Sequence, residues 1–279
     1  MSTLKTSKPT RFLIWLVGIV LALHLAVSLF LIFFQNDIIF QRKPLAEDYI
    51  FTFHRDSSQA KLQEYYIKVE DKDSLNALLF KTTLPSKGLI LYFHGNADNL
   101  QRWGRYAEDF TKLGYDILMI DYRGYGKSSG EPLEKNLYTD ALAVYQWSEA
   151  NLKPSRYIFY GRSLGSAVAS NLATAVTPYL LILETPFDEL KGAVYEPVKP
   201  FLYFLPLHSS FSNKSFLPKV KCKKIIIHGT NDQVVPLSSA MRLKPLLEDG
   251  DQFIVIEGGS HRNLRDFQSF HQALAEMLE

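Results

Sequence analysis

Residues 161–165 read Gly-Arg-Ser-Leu-Gly, a serine with a glycine two positions to either side. Ahead of it, Tyr157–Tyr160 is apolar and aromatic like a buried strand; behind it, Ser166–Thr174 is small and helix-compatible. A sharp strand-to-helix turn holds such a serine in a strained backbone conformation and lifts its hydroxyl above the sheet edge. Gly161 and Gly165 fit that turn because larger side chains there would collide with neighbouring structure. The chemistry this predicts is nucleophilic attack by Ser163 on a carbonyl carbon.

A serine hydroxyl needs a base to remove its proton, and that base, a histidine, needs a carboxylate to orient it. Where the chain order is serine, acid, base, the histidine lies near the C-terminus, which leaves His261 and His271. His261 follows the β-like run Phe253–Ile256 in Gly258-Gly259-Ser260-His261, whereas His271 sits in an amphipathic segment and reads as a surface residue. Asp232 follows Ile225–Ile227 in a strand-end loop and is the expected acid, with Asp188 and Glu184 as alternatives; its competing role is to cap the turn ahead of Pro236. The oxyanion of a tetrahedral intermediate needs donors fixed in place. The Leu164 N–H is one, and the loop His94-Gly95-Asn96-Ala97, after Leu89–Phe93, offers the Asn96 N–H as the second. His94 precedes the serine and is expected to fix that loop by hydrogen bonding, with Gly95 keeping the turn compact.

These residues need elements to carry them. Tyr49–Phe53, Leu62–Val69 and Leu75–Lys81 read as an opening antiparallel meander. From Gly88 onward, short apolar strands (Leu89–Phe93, Asp116–Ile120, Tyr157–Tyr160, Leu180–Leu183, Ile225–Ile227, Phe253–Ile256) alternate with amphipathic segments such as Leu100–Leu113, Leu133–Trp147 and Leu237–Leu247. That alternation predicts an α/β fold, a mostly parallel sheet covered by helices on both faces. An insertion at about 187–220 carries Phe187, Tyr195, Phe201, Tyr203, Phe204, Phe211 and Phe216 among Pro197, Pro200 and Pro206; it is expected either to cap the site or to complete the core.

Phe12 to Phe34 is an uncharged apolar stretch of 23 residues. As a helix it is about 34 Å long, enough to cross a hydrocarbon core of about 30 Å, and no small-residue cleavage site follows it. The expected organisation is a cytoplasmic tail (1–11), a transmembrane helix (12–34) in contact with the lipid bilayer, and one catalytic domain (35–279). His24 and Ser28 are the polar residues within the span; His24 is neutral and has no acidic partner in the same helix, so it reads as facing a neighbour or snorkelling and not as relaying protons. Lys5, Lys8 and Arg11 on the short side, against Arg42 and Lys43 on the other, favour a cytoplasmic N-terminus with the large domain outside.

The chain has 279 residues, 47% hydrophobic and 22% charged, which excludes a disordered or collagen-like protein. Of the net charge of +2, the three N-terminal cations supply +3, so the remainder carries −1. Without a basic stripe, nucleic acid is not an expected partner. The single cysteine, Cys222, rules out an intramolecular disulfide and a cysteine-based metal site; neither a metal nor a cofactor is expected.

Five segments together resemble the α/β-hydrolase superfamily, in its membrane-anchored Bem46-like branch with the ABHD13- and ABHD17-type serine hydrolases. They are Leu91-Tyr92-Phe93-His94-Gly95-Asn96-Ala97, Asp121-Tyr122-Arg123-Gly124-Tyr125-Gly126, Gly161-Arg162-Ser163-Leu164-Gly165, Glu184-Thr185-Pro186-Phe187 and His228-Gly229-Thr230-Asn231-Asp232. The resemblance runs from about Asp37 to the C-terminus and implies the α/β-hydrolase fold, the triad Ser163, Asp232 and His261, and oxyanion donors at Asn96 and Leu164. Asp98 stands where the resembling loop often has glycine, which places an acid near the expected pocket mouth, unfavourable to anionic substrates. Members that remove palmitoyl groups from proteins carry a cysteine-rich, lipidated N-terminal segment; this chain has a cysteine-free apolar helix there, so that substrate does not carry over.

The resulting expectation is a membrane-tethered serine hydrolase acting on an ester or thioester with a small-molecule or lipid-like acyl group. A serine aminopeptidase on the same fold is the alternative, with Glu189 and Glu196 as the residues that would recognise a peptide amino terminus. A non-catalytic interaction protein on the same scaffold is the third.

Overall fold

A computed structural model of the chain describes residues 8–53, 61–193 and 207–279. The first element, α1 (Lys8–Ile39), is a 32-residue helix, about 48 Å long at 1.5 Å per residue. It extends the expected span at both ends and is long and apolar enough to cross a membrane. Phe12, Trp15, Leu21 and Phe33 are exposed along it. At its C-terminal end the pattern reverses: Gln35 and the following Phe40 are buried, and Phe40 packs edge-on against Phe211.

The remaining strands are β1 (Gln41–Arg42), β2 (Lys61–Lys68), β3 (Ser74–Lys81), β4 (Leu89–Phe93), β5 (Ala97–Asp98), β6 (Asp116–Ile120), β7 (Tyr157–Arg162), β8 (Leu180–Glu184), β9 (Lys223–Gly229) and β10 (Gln252–Ile256). Eight of them form one sheet in the order β10-β9-β8-β7-β4-β6-β3-β2. Strands β2 and β3 are antiparallel to their neighbours and the others are parallel. Strand β4 is central, with β6 added on one side and β7 on the other. The chain reverses its direction of winding there, and the carboxyl ends of β4 and β7 are the topological switch point at which open α/β sheets bind ligands.

Alternation along β4 sends its residues to two cores. Leu89, Leu91 and Phe93 pack on the face covered by α4 (Glu134–Asn151) and α5 (Leu164–Ala175), with Val144, Val168 and Leu172. Ile90 and Tyr92 pack on the opposite face with Phe110, Phe270 and Leu274.

Three expected elements differ. Tyr49–Phe53 is not a strand: its alternating aromatics pack as rings, Phe51 stacked on Phe53 and Phe53 edge-on to Phe80, without a sheet partner among the described residues. Leu100–Leu113 is not one helix but α2 (Leu100–Trp103), a 3-10 turn, and α3 (Glu108–Thr111). The break falls at Gly104, where the rings of Phe53 and Phe80 occupy the space a Cβ would need. The expected helix Leu237–Leu247 is shorter, Leu237–Met241, followed by a 3-10 turn that begins at Lys244-Pro245. Of the insertion's aromatic residues, Phe187 and Phe211 are buried in the main core, and Phe216 packs edge-on to Tyr138. Tyr195, Phe201, Tyr203 and Phe204, with Glu196, lie outside the described residues.

Candidate active site

Strand β7 ends at Arg162 and α5 begins at Leu164, leaving Ser163 alone on the turn with φ 52° and ψ −116°. That backbone is disfavoured for any residue with a Cβ. It is held by Ser163 N–H donating to the Glu184 carbonyl and by Ser166, whose N–H and hydroxyl both donate to the Ser163 carbonyl. The flanking glycines are sterically required. A Cβ on Gly161 would run into the Gly165 backbone, and one on Gly165 into the Phe93 carbonyl.

The loops after β9 and β10 bring Asp232 and His261 to the same sheet edge. His261 Nε2 lies 3.1 Å from Ser163 Oγ, and His261 Nδ1 lies 2.7 Å from Asp232 Oδ2. A carboxylate accepts only, so Nδ1 carries the proton and the Nε2 lone pair faces the serine hydroxyl. The two loops are tied together: Asn231 N–H donates to the Gly259 carbonyl and Gly258 N–H to Thr230 Oγ1. Asp232 Oδ1 accepts from the Val234 and Val235 N–H groups, so the turn-capping role and the carboxylate–histidine contact coexist in one side chain. Burial pushes the Asp232 carboxyl up, but the hydrogen bond from His261, the charge on that ring and the Val235 N–H outweigh it. The net effect holds the group below its ordinary range.

The alternative acids are engaged elsewhere. Glu184 lies 3.4 Å from Arg162 and accepts from Tyr160, while Asp188 accepts from Ser239 and Arg242. His271 is half-buried in the C-terminal helix Gln268–Met277, where its Nε2 contacts the Arg265 carbonyl.

Across from Ser163 lies the loop after β4. A Cβ built on Gly95 would sit 3.6 Å from Ser163 Cβ. His94 is fully buried, with Nδ1 2.6 Å from the Gly95 carbonyl, Nε2 3.3 Å from Asp121 and its ring stacked on Trp103. Among the described residues, neither the Asn96 nor the Leu164 backbone N–H is used by an acceptor. The Asn96 carbonyl accepts from Gln41 N–H and Tyr125 Oη, and its Nδ2 donates to the Ile39 carbonyl. Strand β1 pairs in parallel with β5, so the segment leaving α1 is stitched directly to this loop.

Asp98 does not line the cavity beside Ser163. It lies in β5 with φ 77°, a value that explains a glycine preference there, and its carboxylate faces Lys43 and Arg102, each at 3.7 Å.

Beside Ser163 is a cavity of about 250 Å³ with Leu164, Phe187, Leu190, Val234 and Val235 among its walls. Gln35, Ile38 and Ile39 also line it, so the end of α1 is part of the site. Two contributors were not singled out from sequence. Arg162, between the first glycine and the serine of the pentapeptide, is buried between Glu184, Trp103 and Tyr106 and donates to the His261 carbonyl at 2.7 Å. Gln35, the residue after the apolar stretch, is the other.

A parallel-rich sheet with a serine on a strand-to-helix turn, facing a histidine and a carboxylate, defines the class: the chain belongs to the α/β-hydrolase superfamily. The family model for serine aminopeptidase, S33, matches residues 85–216. An uncharacterised protein of Mycobacterium tuberculosis is 30% identical over 206 residues, covering 72% of this chain and 73% of that one. Lysophosphatidylserine lipase ABHD12 of Danio rerio is 33% identical over 211 residues, 68% of this chain but 51% of its own length, so the chain spans about half of that relative. Among solved structures, the Pyrococcus furiosus esterase Pf2001 superposes with a TM-score of 0.67 at 20% identity, covering 85% of this chain and 98% of that one, a likeness of fold.

Proposed function

We propose that this protein is a membrane-anchored serine hydrolase that cleaves carboxylic esters or thioesters of lipid-like acyl groups. The observation that carries this reading is the hydrogen-bonded line Ser163–His261–Asp232, 3.1 Å and 2.7 Å long, beside an apolar cavity. Ser163 Oγ attacks the carbonyl carbon while His261 Nε2 takes its proton. The oxyanion is held by the Asn96 and Leu164 N–H groups, and Asp232 stabilises the imidazolium. Collapse of the intermediate breaks the bond to the leaving group, which takes the proton back from His261. Water, deprotonated by the same ring, then releases the acid from the acyl-enzyme and restores Ser163.

The apolar walls support an acyl group, and the similarity to lysophosphatidylserine lipases supports a lipid ester. The apolar length of α1 supports anchoring, and the N-terminal cations support a cytoplasmic N-terminus with the catalytic domain on the outer side.

The match to the aminopeptidase model favours a second reading, a peptidase on the same triad. Against it, Glu189 is exposed, so it offers no buried charge to hold a peptide amino terminus.

Fluorophosphonate labelling of the detergent-solubilised chain tests the proposal. Labelling is expected in the wild type, lost in Ser163→Ala and weakened in His261→Ala and Asp232→Asn; labelling retained in Ser163→Ala would assign the nucleophile to another residue.

A further inference from the structure

Gln35 is the first polar residue beyond the apolar stretch, yet it is only 4% exposed. Its Oε1 accepts the His208 N–H at 2.8 Å. That bond orients the carboxamide, because a backbone N–H can be met only by the amide oxygen, and it leaves Nε2 as the remaining donor. Nε2 is buried and has no acceptor among the described residues. A buried amide N–H without a partner is disfavoured, so its persistence beside a cavity calls for an acceptor that arrives with a ligand.

The position of Gln35 shows which part of a ligand that is. It lines the cavity at Ser163, where the neighbouring walls Phe187, Leu190, Val234 and Val235 suit an acyl chain. It also lines a second cavity of about 480 Å³, where Lys135, His208, Ser209 and Ser210 supply polar surface. The side chain thus stands between an apolar compartment holding the nucleophile and a mixed one without it, where these polar groups and Glu134 lie alongside Ile32, Phe33 and Leu133. Depth agrees with this. A stretch of 23 residues ending at Phe34 crosses the hydrocarbon, so Gln35 falls at the headgroup layer, where the polar portion of an amphiphile lies.

We propose that Gln35 is a specificity-determining residue contributed by the membrane helix: its Nε2 donates a hydrogen bond to an acceptor oxygen on the alcohol portion of an acyl ester bound at Ser163. The acyl chain lies along the apolar wall and the alcohol points toward the polar groups of the second cavity. This deepens, and rests on, the reading of the chain as an ester hydrolase.

The test compares kcat/KM of the full chain in detergent micelles for monododecanoylglycerol, whose alcohol carries oxygen acceptors, and methyl dodecanoate, whose alcohol carries none. Gln35→Glu keeps an acceptor for the His208 N–H and removes the donor; Gln35→Met removes both without adding charge. In each variant the glyceryl-to-methyl ratio of kcat/KM is expected to fall on the order of tenfold, the scale of one lost hydrogen bond, mainly through a higher KM for the glyceryl ester. A ratio unchanged in both variants, whatever the absolute rates, would overturn the proposal, since a purely structural role slows both esters alike. A wild type that takes fluorophosphonate but hydrolyses neither ester would instead overturn the ester reading, and this inference with it.

Discussion

Arg162 Nη2 donates to the His261 carbonyl oxygen at 2.7 Å, so the residue preceding Ser163 fixes the loop that carries His261. The same guanidinium faces Glu184 at 3.4 Å and the rings of Trp103 and Tyr106; burial works against its charge, and Glu184 together with Tyr92, Tyr106 and Tyr160 more than restores it. Arg162→Leu leaves Glu184 buried without its cation and is expected to cost on the order of 3–5 kcal/mol in urea unfolding. Arg162→Lys keeps the charge but lacks a planar fork able to reach both the carboxylate and the carbonyl. It is expected to remain folded and lose about tenfold in kcat, the scale of one hydrogen bond, as initial rates would show.

Asp232 fixes the tautomer of His261 through the 2.7 Å contact at Nδ1. In Asp232→Asn the amide nitrogen can donate to Nδ1, which moves the ring proton to Nε2 and presents a donor, not an acceptor, to Ser163. A fall in kcat on the order of 10⁴ at neutral pH is expected, with KM little changed. A loss below about tenfold would show that another group orients the base.

Two buried groups at the site make stability fall with acid. Burial lowers the affinity of His228 for a proton, and its Nε2 is held by the Val235 carbonyl at 2.9 Å. As pH falls through about 6.5, the unfolded chain takes up a proton that the folded chain refuses, so stability drops by at most about 1.4 kcal/mol per pH unit. The stabilisation from Asp232, whose folded carboxyl lies below its ordinary range, is fully present above about pH 4 and is lost as pH falls further toward the folded value. His228→Gln keeps a donor for the Val235 carbonyl and removes the first slope. Urea unfolding between about pH 7 and 5 should give a flatter curve in the variant than in the wild type; parallel curves would contradict the assignment.

How much of this was legible in the sequence depended on whether a residue acts through its neighbours in the chain or through distant ones. Strands β4 and β6 coincide with their apolar runs because both faces of the central sheet are buried and no polar residue interrupts them. Tyr49–Phe53 misled because aromatic alternation marks ring packing as well as strand pairing. Ser163, Asp232 and His261 each end or follow a strand, so local pattern placed them at one sheet edge, where the structure brings them together. Arg162 and Gln35 carried no comparable signal. One meets a loop 99 positions later and the other a segment 173 positions later, separations that only the folded chain closes.

The junction between α1 and the sheet-bearing remainder of the chain makes its own prediction. Phe40 is buried against Phe211, the Ile39 carbonyl and Gln41 N–H both bond Asn96, and β1 pairs with β5. Deleting residues 1–30 removes most of the apolar helix and leaves all of these contacts. That truncation should stay folded and turn over a water-soluble ester at close to the rate of the full chain. Deleting residues 1–43 removes Phe40, both backbone partners of Asn96 and the β1 strand, opening the core and freeing the loop proposed to supply an oxyanion donor. A misplaced donor of this kind costs on the order of 10²–10³ in kcat, and the lost Phe40 side chain alone about 3 kcal/mol or more of stability. Initial rates and unfolding curves of the two truncations decide the matter: equal activity would show that the Asn96 loop holds its shape without the segment that joins it to α1.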